Sequence, residues 1–339
     1  MTTKRTILCG LFAVILVLTF IACKDDDDDN TGGGISGPTT WTAVADSTFG
    51  TAFITGIAYS NNRFVAVGYS YKPAQIGEMA YSDDNGVTWT DVLTSTFGTS
   101  EIRAIAYGNN RFVAVGSSGK MAYSANGSKW TAVSATVSTF GTSSAINGIA
   151  YGANRFVAVG SSGKMAYSTD GVTWTAVSNS GFGTVNINGI TYGNNRFVAV
   201  GGDGKMAYST DGVTWTAVAD STFNTDTIRG IAYGNNRFVA GGSFGKMAYS
   251  DDNGVTWTAV SNSTFGWTSI NAIAYGNNRF VAVGDYGKMA YSADGSSWTA
   301  VANSKFPDDF NDGIINAIAY GNNRFVAGGM DGKMAYANW

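Results

Sequence analysis

The sequence predicts an all-β protein: a seven-bladed β-propeller of four-stranded antiparallel blades, closed by an N-terminal strand that completes the last blade. Three observations carry that expectation. The phrase Gly-Asn-Asn-Arg-Phe-Val-Ala-Val-Gly recurs seven times with little change, its Phe at Phe64, Phe112, Phe156, Phe197, Phe238, Phe280 and Phe325. A second phrase, Trp-Thr-Ala-Val or a near copy, begins at Trp41, Trp89, Trp130, Trp174, Trp215, Trp257 and Trp298. The two phrases are out of phase at the ends: Trp41 precedes every Phe phrase, and no Trp phrase follows the last one. A repeat spaced 41 to 48 residues apart is one supersecondary unit that cannot bury its apolar face alone, so neighbours must stack.

The fourth unit shows how each element is read. Ile187 to Tyr192 is the inner strand, followed by the turn Gly193-Asn194-Asn195. Arg196 to Val200 is the second strand and Lys205 to Ser209 the third, with a Gly-rich link between them. After Asp211-Gly212 comes the outer strand, Val213 to Val218. The runs are short, rich in β-branched and aromatic residues, and bounded by Gly, Asn, Asp and Ser. Asn-Asn and Asp-Gly mark turns because these residues tolerate positive φ. No run after residue 30 keeps a helical period. Joining the orphan strand at Trp41 to the unfinished unit ending at Ala337 leaves seven complete blades and no open edge. A superhelical solenoid is the competing architecture, but it calls for a distinct capping repeat at each end, and none is visible. Trp339 stands only five residues after Met334 and reads as a terminal residue outside the repeat.

The turn before the outer strand carries a signature. Ser82 to Trp89 and Ser250 to Trp257 match Ser-x-Asp-x-Gly-x-Thr-Trp, and Ser168 to Trp174 and Ser209 to Trp215 match with one residue deleted. Ser124 to Trp130 and Ser292 to Trp298 are weaker copies. This pattern resembles the Asp box of bacterial-neuraminidase-type repeats, a family that includes sialidases, sortilin-type receptors and the seven-bladed photosystem II assembly factor. The resemblance covers residues 41 to 337 and implies a folding role for Asp84, Asp170, Asp211, Asp252 and Asp294, remote from any catalytic face. Calcium binding at these turns is disfavoured, because alternate oxygen ligands and a distal bidentate Glu are missing.

The chain divides into three expected parts. Residues 1–22 read as a secretory signal: Lys4 and Arg5 precede a short apolar stretch from Ile7 to Ala22. Phe20-Ile21-Ala22-Cys23 resembles a bacterial lipoprotein box, which implies lipidation at Cys23. Residues 23–40 then form an acidic, Gly-rich tether that cannot pack a core, and residues 41–339 form the propeller. The expected location is the bacterial cell envelope, lipid-anchored, periplasmic or surface-exposed, with the membrane engaged through the anchor only.

Composition narrows the chemistry. The chain has 21 basic and 24 acidic residues and no basic stripe, so nucleic acid is not an expected partner. It has no histidine, which removes imidazole bases and His-ligated metals; no metal or cofactor is expected. A sialidase-like site would need arginines set apart from the repeat, and only Arg103 and Arg229 are; Glu78 and Glu101 are the sole glutamates. No catalytic residue is assigned, Glu101 being the weak candidate.

A site should break the repeat's symmetry, and nearly all variation falls in the loops of one face. The residue after the opening Ile of each inner strand varies: Thr55, Arg103, Asn147, Asn188, Arg229, Asn271 and Asn316. By alternation these ring the channel mouth, either as a wet lining or as a grip for anions and hydroxyls. Extra aromatics (Tyr69, Tyr71, Phe244, Trp267, Tyr286 and Phe310) fall on an arc through blades 5, 6, 7 and 1. The two longest insertions, Tyr69 to Ile76 and Lys305 to Asp312, lie on the same face. The expected function is a monomeric, lipid-anchored binding propeller for an extracellular glycan or protein ligand. A sialidase-like glycoside hydrolase and an envelope assembly factor are the alternatives.

Overall fold

The computed structural model describes residues 40–71, 75–134, 138–309 and 313–339. The signal, Cys23, most of the tether and Phe310 lie outside the described residues. Seven four-stranded antiparallel sheets succeed one another, and there is no α-helix among the described residues. The inner strands are Phe53–Ser60, Ile102–Gly108, Ile146–Gly152, Ile187–Gly193, Ile228–Gly234, Ile270–Gly276 and Ile315–Gly321.

Each inner strand turns into the second through two residues with positive φ, such as Asn194 (φ 44) and Asn195 (φ 58). That is the two-residue hairpin whose twist matches the flanking strands. Tyr192 then faces Phe197 across the ladder with ring centroids 4.6 Å apart, the cross-strand pairing that stabilises sheets.

The second strand, Arg196–Gly201 in blade 4, is buried from Phe197 onward, because both of its faces meet another blade. Alternation explains the arrangement. Val198 and Val200, with Met206, pack against Phe238, Ala240 and Ala248 of blade 5. Phe197, Ala199 and Ala207 pack against Val157, Val159 and Met165 of blade 3. Each blade thus shows Val and Met to the next one and Phe and Ala to the one before. The same set joins blade 7 to blade 1, where Val326 and Met334 meet Phe64, Ala66 and Ala80. Each large side chain so buried contributes about 1.5–3 kcal/mol.

The ends meet in blade 7. Thr42 pairs with Tyr336 and Ala43 with Ala335, and Val44 N–H donates to Met334 O at 2.9 Å. The outer strands are shorter than the sequence suggests: in blade 4 only Thr216–Ala217 pair. The reason is local. Val213 and Thr214 N–H donate to the Asp211 carboxylate, each at 2.8 Å, rather than to a ladder. Trp339 is also more than a terminal residue. Its ring packs 5.3 Å from Phe325 and 5.6 Å from Tyr291, with Arg279 over it. It fills the seam between blades 6 and 7 that the missing seventh box turn leaves open.

Candidate functional site

The inner strands carry a β-bulge at one shared position. Register shifts between Ile102 and Ala104, between Ile187 and Gly189, and at the matching place in every other blade. The residue skipped each time is the variable one: Thr55, Arg103, Asn147, Asn188, Arg229, Asn271 or Asn316. Bulges re-aim side chains, and here several reach the next blade. Thr55 Oγ1 donates to Ile102 O at 2.7 Å, Asn147 Nδ2 to Ile187 O at 2.9 Å and Asn188 Nδ2 to Ile228 O at 2.9 Å. Asn271 Nδ2 donates to Ile315 O at 3.1 Å and to Asp285 Oδ1 at 2.8 Å. These four donors are spent on holding neighbouring blades together. Arg229 is exposed and forms no ion pair among the described residues.

Arg103 takes a different path. Its Nη2 and Nε donate to Glu101 Oε2 at 2.7 and 3.1 Å, and its Nη1 reaches Asn147 Oδ1 at 2.8 Å. Ser117 Oγ donates to Glu101 Oε2 at 3.0 Å, and Tyr71 Oη to Oε1 at 3.1 Å. Burial pushes the Glu101 carboxyl up, but Arg103, Ser117 and Tyr71 together hold it below its ordinary value. Burial, with Tyr71 beside it, pushes the Tyr69 phenol well above its ordinary value. A carboxylate so encumbered is a poor general base, and a phenol so shifted is a poor nucleophile at neutral pH. The cluster ties blades 1, 2 and 3 together. Sequence reasoning singled out Glu101 and Arg103 separately; their pairing across the bulge was the missing information.

The aromatic arc resolves into two groups. Tyr69 is not in a loop: it ends the second strand of blade 1, Arg63–Ser70, and pairs with Gly77. Its ring stacks on Phe53 at 5.1 Å, and Tyr71 packs edge-on against both. The insertion after Tyr69 lengthens the hairpin, with Ser70 opposite Ile76. In the other group Phe244 and Trp267 lie edge to face at 6.2 Å, and they are 53% and 85% exposed. Phe244 holds φ 56 and Tyr286, its counterpart in blade 6, φ 57. Bulky side chains are rare in that region; Asp203 and Asp331 hold the same position in blades 4 and 7. Two exposed aromatics therefore stand where local backbone preference opposes them.

The central channel is apolar in its middle, lined by one Ile from each blade, Ile57 through Ile318, around a void of about 240 Å³. No cluster of three metal-ligating side chains occurs among the described residues, and no helix there is long and apolar enough to cross a membrane.

On the opposite face the six Ser-containing turns are self-contained. Asp84 Oδ1 accepts Thr88 N–H at 2.9 Å and Val87 N–H at 3.1 Å, while Ser82 Oγ donates to it at 2.8 Å. Arginines of the repeat rivet these turns across blades: Arg324 Nη1 donates to Asn85 O at 2.8 Å, and Arg237 Nη1 to Asp294 O. Burial pushes Asp84, Asp170, Asp211, Asp252 and Asp294 up, but their hydrogen bonds outweigh it and hold all five below the ordinary value. A depressed folded pKa gives stability that is present above the unfolded value, about 3.9, and is lost as pH falls through it. Asn126 caps the same turn in blade 2, accepting Ser128 N–H at 3.0 Å and Lys129 N–H at 3.1 Å, without a charge to lose. Asp170→Asn is therefore expected to keep the fold and to shift the acid unfolding midpoint downward, read by circular dichroism between pH 5 and 2. An unchanged midpoint would count against the capping account.

A family model described as the DUF6242 beta propeller domain matches residues 91–226 and 188–339. A search of curated protein sequences gives no match. Among solved structures, YCF48 from Cyanidioschyzon merolae superposes with a TM-score of 0.65 at 16% identity, covering 88% of this chain and 98% of its own. YCF48 bound to a D1 peptide gives 0.68 at 17% identity, covering 90% and 96%. Virginiamycin B lyase from Staphylococcus aureus gives 0.67 at 13% identity, covering 88% and 98%. At such identities the likeness concerns the fold.

Proposed function

The chain belongs to the DUF6242 beta-propeller family, and from that premise we propose that it is a lipid-anchored, extracytoplasmic binding propeller whose variable-loop face recognises a polypeptide. The observation that carries this reading is the Phe244–Trp267 pair, more than half exposed on a face where the backbone disfavours Phe244. Burying those rings against a partner recovers hydrophobic free energy that the free protein forgoes, which is how aromatic anchors work at interfaces. The ring architecture shared with YCF48, one structure of which holds a D1 peptide, makes a polypeptide the favoured ligand over a glycan. A glycosidase is disfavoured, since Glu101 is bound up with Arg103, Ser117 and Tyr71. A lyase like the staphylococcal one is disfavoured too: a histidine-to-alanine variant of that enzyme is catalytically inactive, and this chain has no histidine.

The anchor belongs to the same proposal. Residues 1–22 are removed, Cys23 is acylated, and residues 24–40 hold the ring away from the membrane. The test uses the full chain expressed in a bacterial envelope. Wild type is expected to partition into detergent and Cys23→Ala into the aqueous phase. A photo-crosslinker at position 267 is expected to give one discrete polypeptide adduct, reduced at least tenfold by Phe244→Ala. Saturable binding on a glycan array that Trp267→Ala abolishes would replace the polypeptide with a sugar, and release of a fluorogenic sugar dependent on Glu101 would replace binding with catalysis.

A further inference from the structure

Six blades carry a Lys just before the Met of the third strand: Lys120, Lys164, Lys205, Lys246, Lys288 and Lys333. Four of these ammonium groups sit on the carbonyl of the preceding link. Lys120 Nζ donates to Phe97 O at 2.7 Å, Lys164 to Phe140 O at 2.8 Å, Lys205 to Phe182 O at 3.1 Å and Lys288 to Phe265 O at 2.8 Å. Lys246 turns instead to Asp226 Oδ2 at 2.6 Å. Blade 1 has Glu78 at this position, and Asp91 where the other outer strands have Ala. The corresponding carbonyl, Phe49 O, accepts Ala52 N–H at 2.8 Å and no side chain among the described residues. One of its two lone pairs is left over.

The space changes with the charge. In blade 4 the cavity beside Lys205 and Ala217 measures about 360 Å³. Its counterpart in blade 1, lined by Phe49, Glu78, Asp91 and Leu93, measures about 880 Å³. Glu78 is half-buried; burial raises its carboxyl above the ordinary value, a hydrogen bond from Ser70 lowers it, and the Asp91 charge raises it further. A cation entering here relieves both penalties.

We propose that this pocket of blade 1 binds a primary alkylammonium group, the side chain of a lysine presented by a partner polypeptide, where sister blades seat their own lysine. An ammonium has three donors, and Glu78, Asp91 and Phe49 O offer three acceptors. A hard divalent cation wants six or more oxygens, which two carboxylates and a carbonyl do not supply. The apolar stem has a surface to lie along: Leu93 is 92% exposed and Ile76 43% exposed at the pocket rim, and lysine stems cover such surface while the charged head reaches polar groups. The aromatic pair of blades 5 and 6 plays no part in it.

The experiment is an NMR titration of the purified full chain, following the Gly77 and Leu93 amides. The probes are Nα-acetyl-lysine-N-methylamide, its norleucine analogue, 1,5-diaminopentane and calcium chloride. Saturable shifts are expected with the lysine amide and none with norleucine. Glu78→Lys, which restores the residue of the other six blades, is expected to keep the melting temperature and to weaken binding at least tenfold. Trp267→Ala is expected to leave it unchanged, so this site and the aromatic face fail or stand separately. Binding that survives Glu78→Lys, or a response to norleucine or calcium equal to that of the lysine amide, overturns the proposal. Tighter binding of diaminopentane than of the lysine amide overturns the assignment to a polypeptide.

Discussion

Trp41→Ala is expected to destabilise the ring by about 3–5 kcal/mol, the range for deleting a large buried aromatic. Trp41 is 2% exposed and packs in the core between blades 6 and 7, against Val281, Ile315 and Ala335. Its position matters as much as its size. The strand that follows it is the only outer strand supplied from the opposite end of the chain, pairing at Thr42 and Ala43 with the last strand. In every other blade the covalent chain holds the outer strand near its partner even when packing weakens. In blade 7 the side chains and a few backbone bonds must overcome the loop-closure entropy of the whole ring. Urea titration should show a lower midpoint, and hydrogen exchange should show Tyr336 losing protection before the inner strands. A change below 1 kcal/mol, or uniform loss of protection, would mean that closure does not depend on this anchor.

Gly193→Ala is the second large effect. A Cβ at Gly193 would stand 2.0 Å from the Tyr233 ring of the next blade, deep inside contact distance. The same approach recurs at Gly108, Gly152, Gly234, Gly276 and Gly321. Overpacking of a closed interface costs about 1–3 kcal/mol and sometimes more, and the ring leaves no free edge into which blade 5 can retreat. Ser60 occupies this position in blade 1, and there Asn61 Nδ2 donates to the Tyr107 hydroxyl at 2.9 Å. A side chain is thus tolerated at one joint built for it. Calorimetry should show Gly193→Ala melting well below wild type and Ser60→Gly close to it. If both melt alike, the clash is being absorbed by ring rotation.

The sequence carried everything that repeats within one blade. Alternation in Phe197-Val198-Ala199-Val200 marks two buried faces, and Asn194-Asn195 marks the hairpin; both follow from the geometry of one strand pair. It did not carry what depends on where the next blade stands. The bulge at Asn188 sends its amide to Ile228 O, 40 residues on, and no local pattern encodes that reach. Likewise Tyr69 was read as loop because an insertion follows it, whereas the insertion extends the hairpin and draws Tyr69 into the ladder. The Glu101–Arg103 pair was hidden by the bulge, which puts two residues that alternation would point oppositely into one hydrogen-bonded group. Glu78 was visible all along as a departure from lysine, but its meaning lies in the Phe49 carbonyl it leaves unserved.

The two-faced second strand has a consequence for how such a chain can change. Because every blade offers Val and Met forward and Phe and Ala backward, all joints are of one kind, head to tail, and only the rotation per joint decides when the circle shuts. A unit copied or lost in register brings its own matching joint with it. Inheritance by whole modules is therefore cheap in this molecule, whereas altering one blade's seam alone requires its neighbour to change as well.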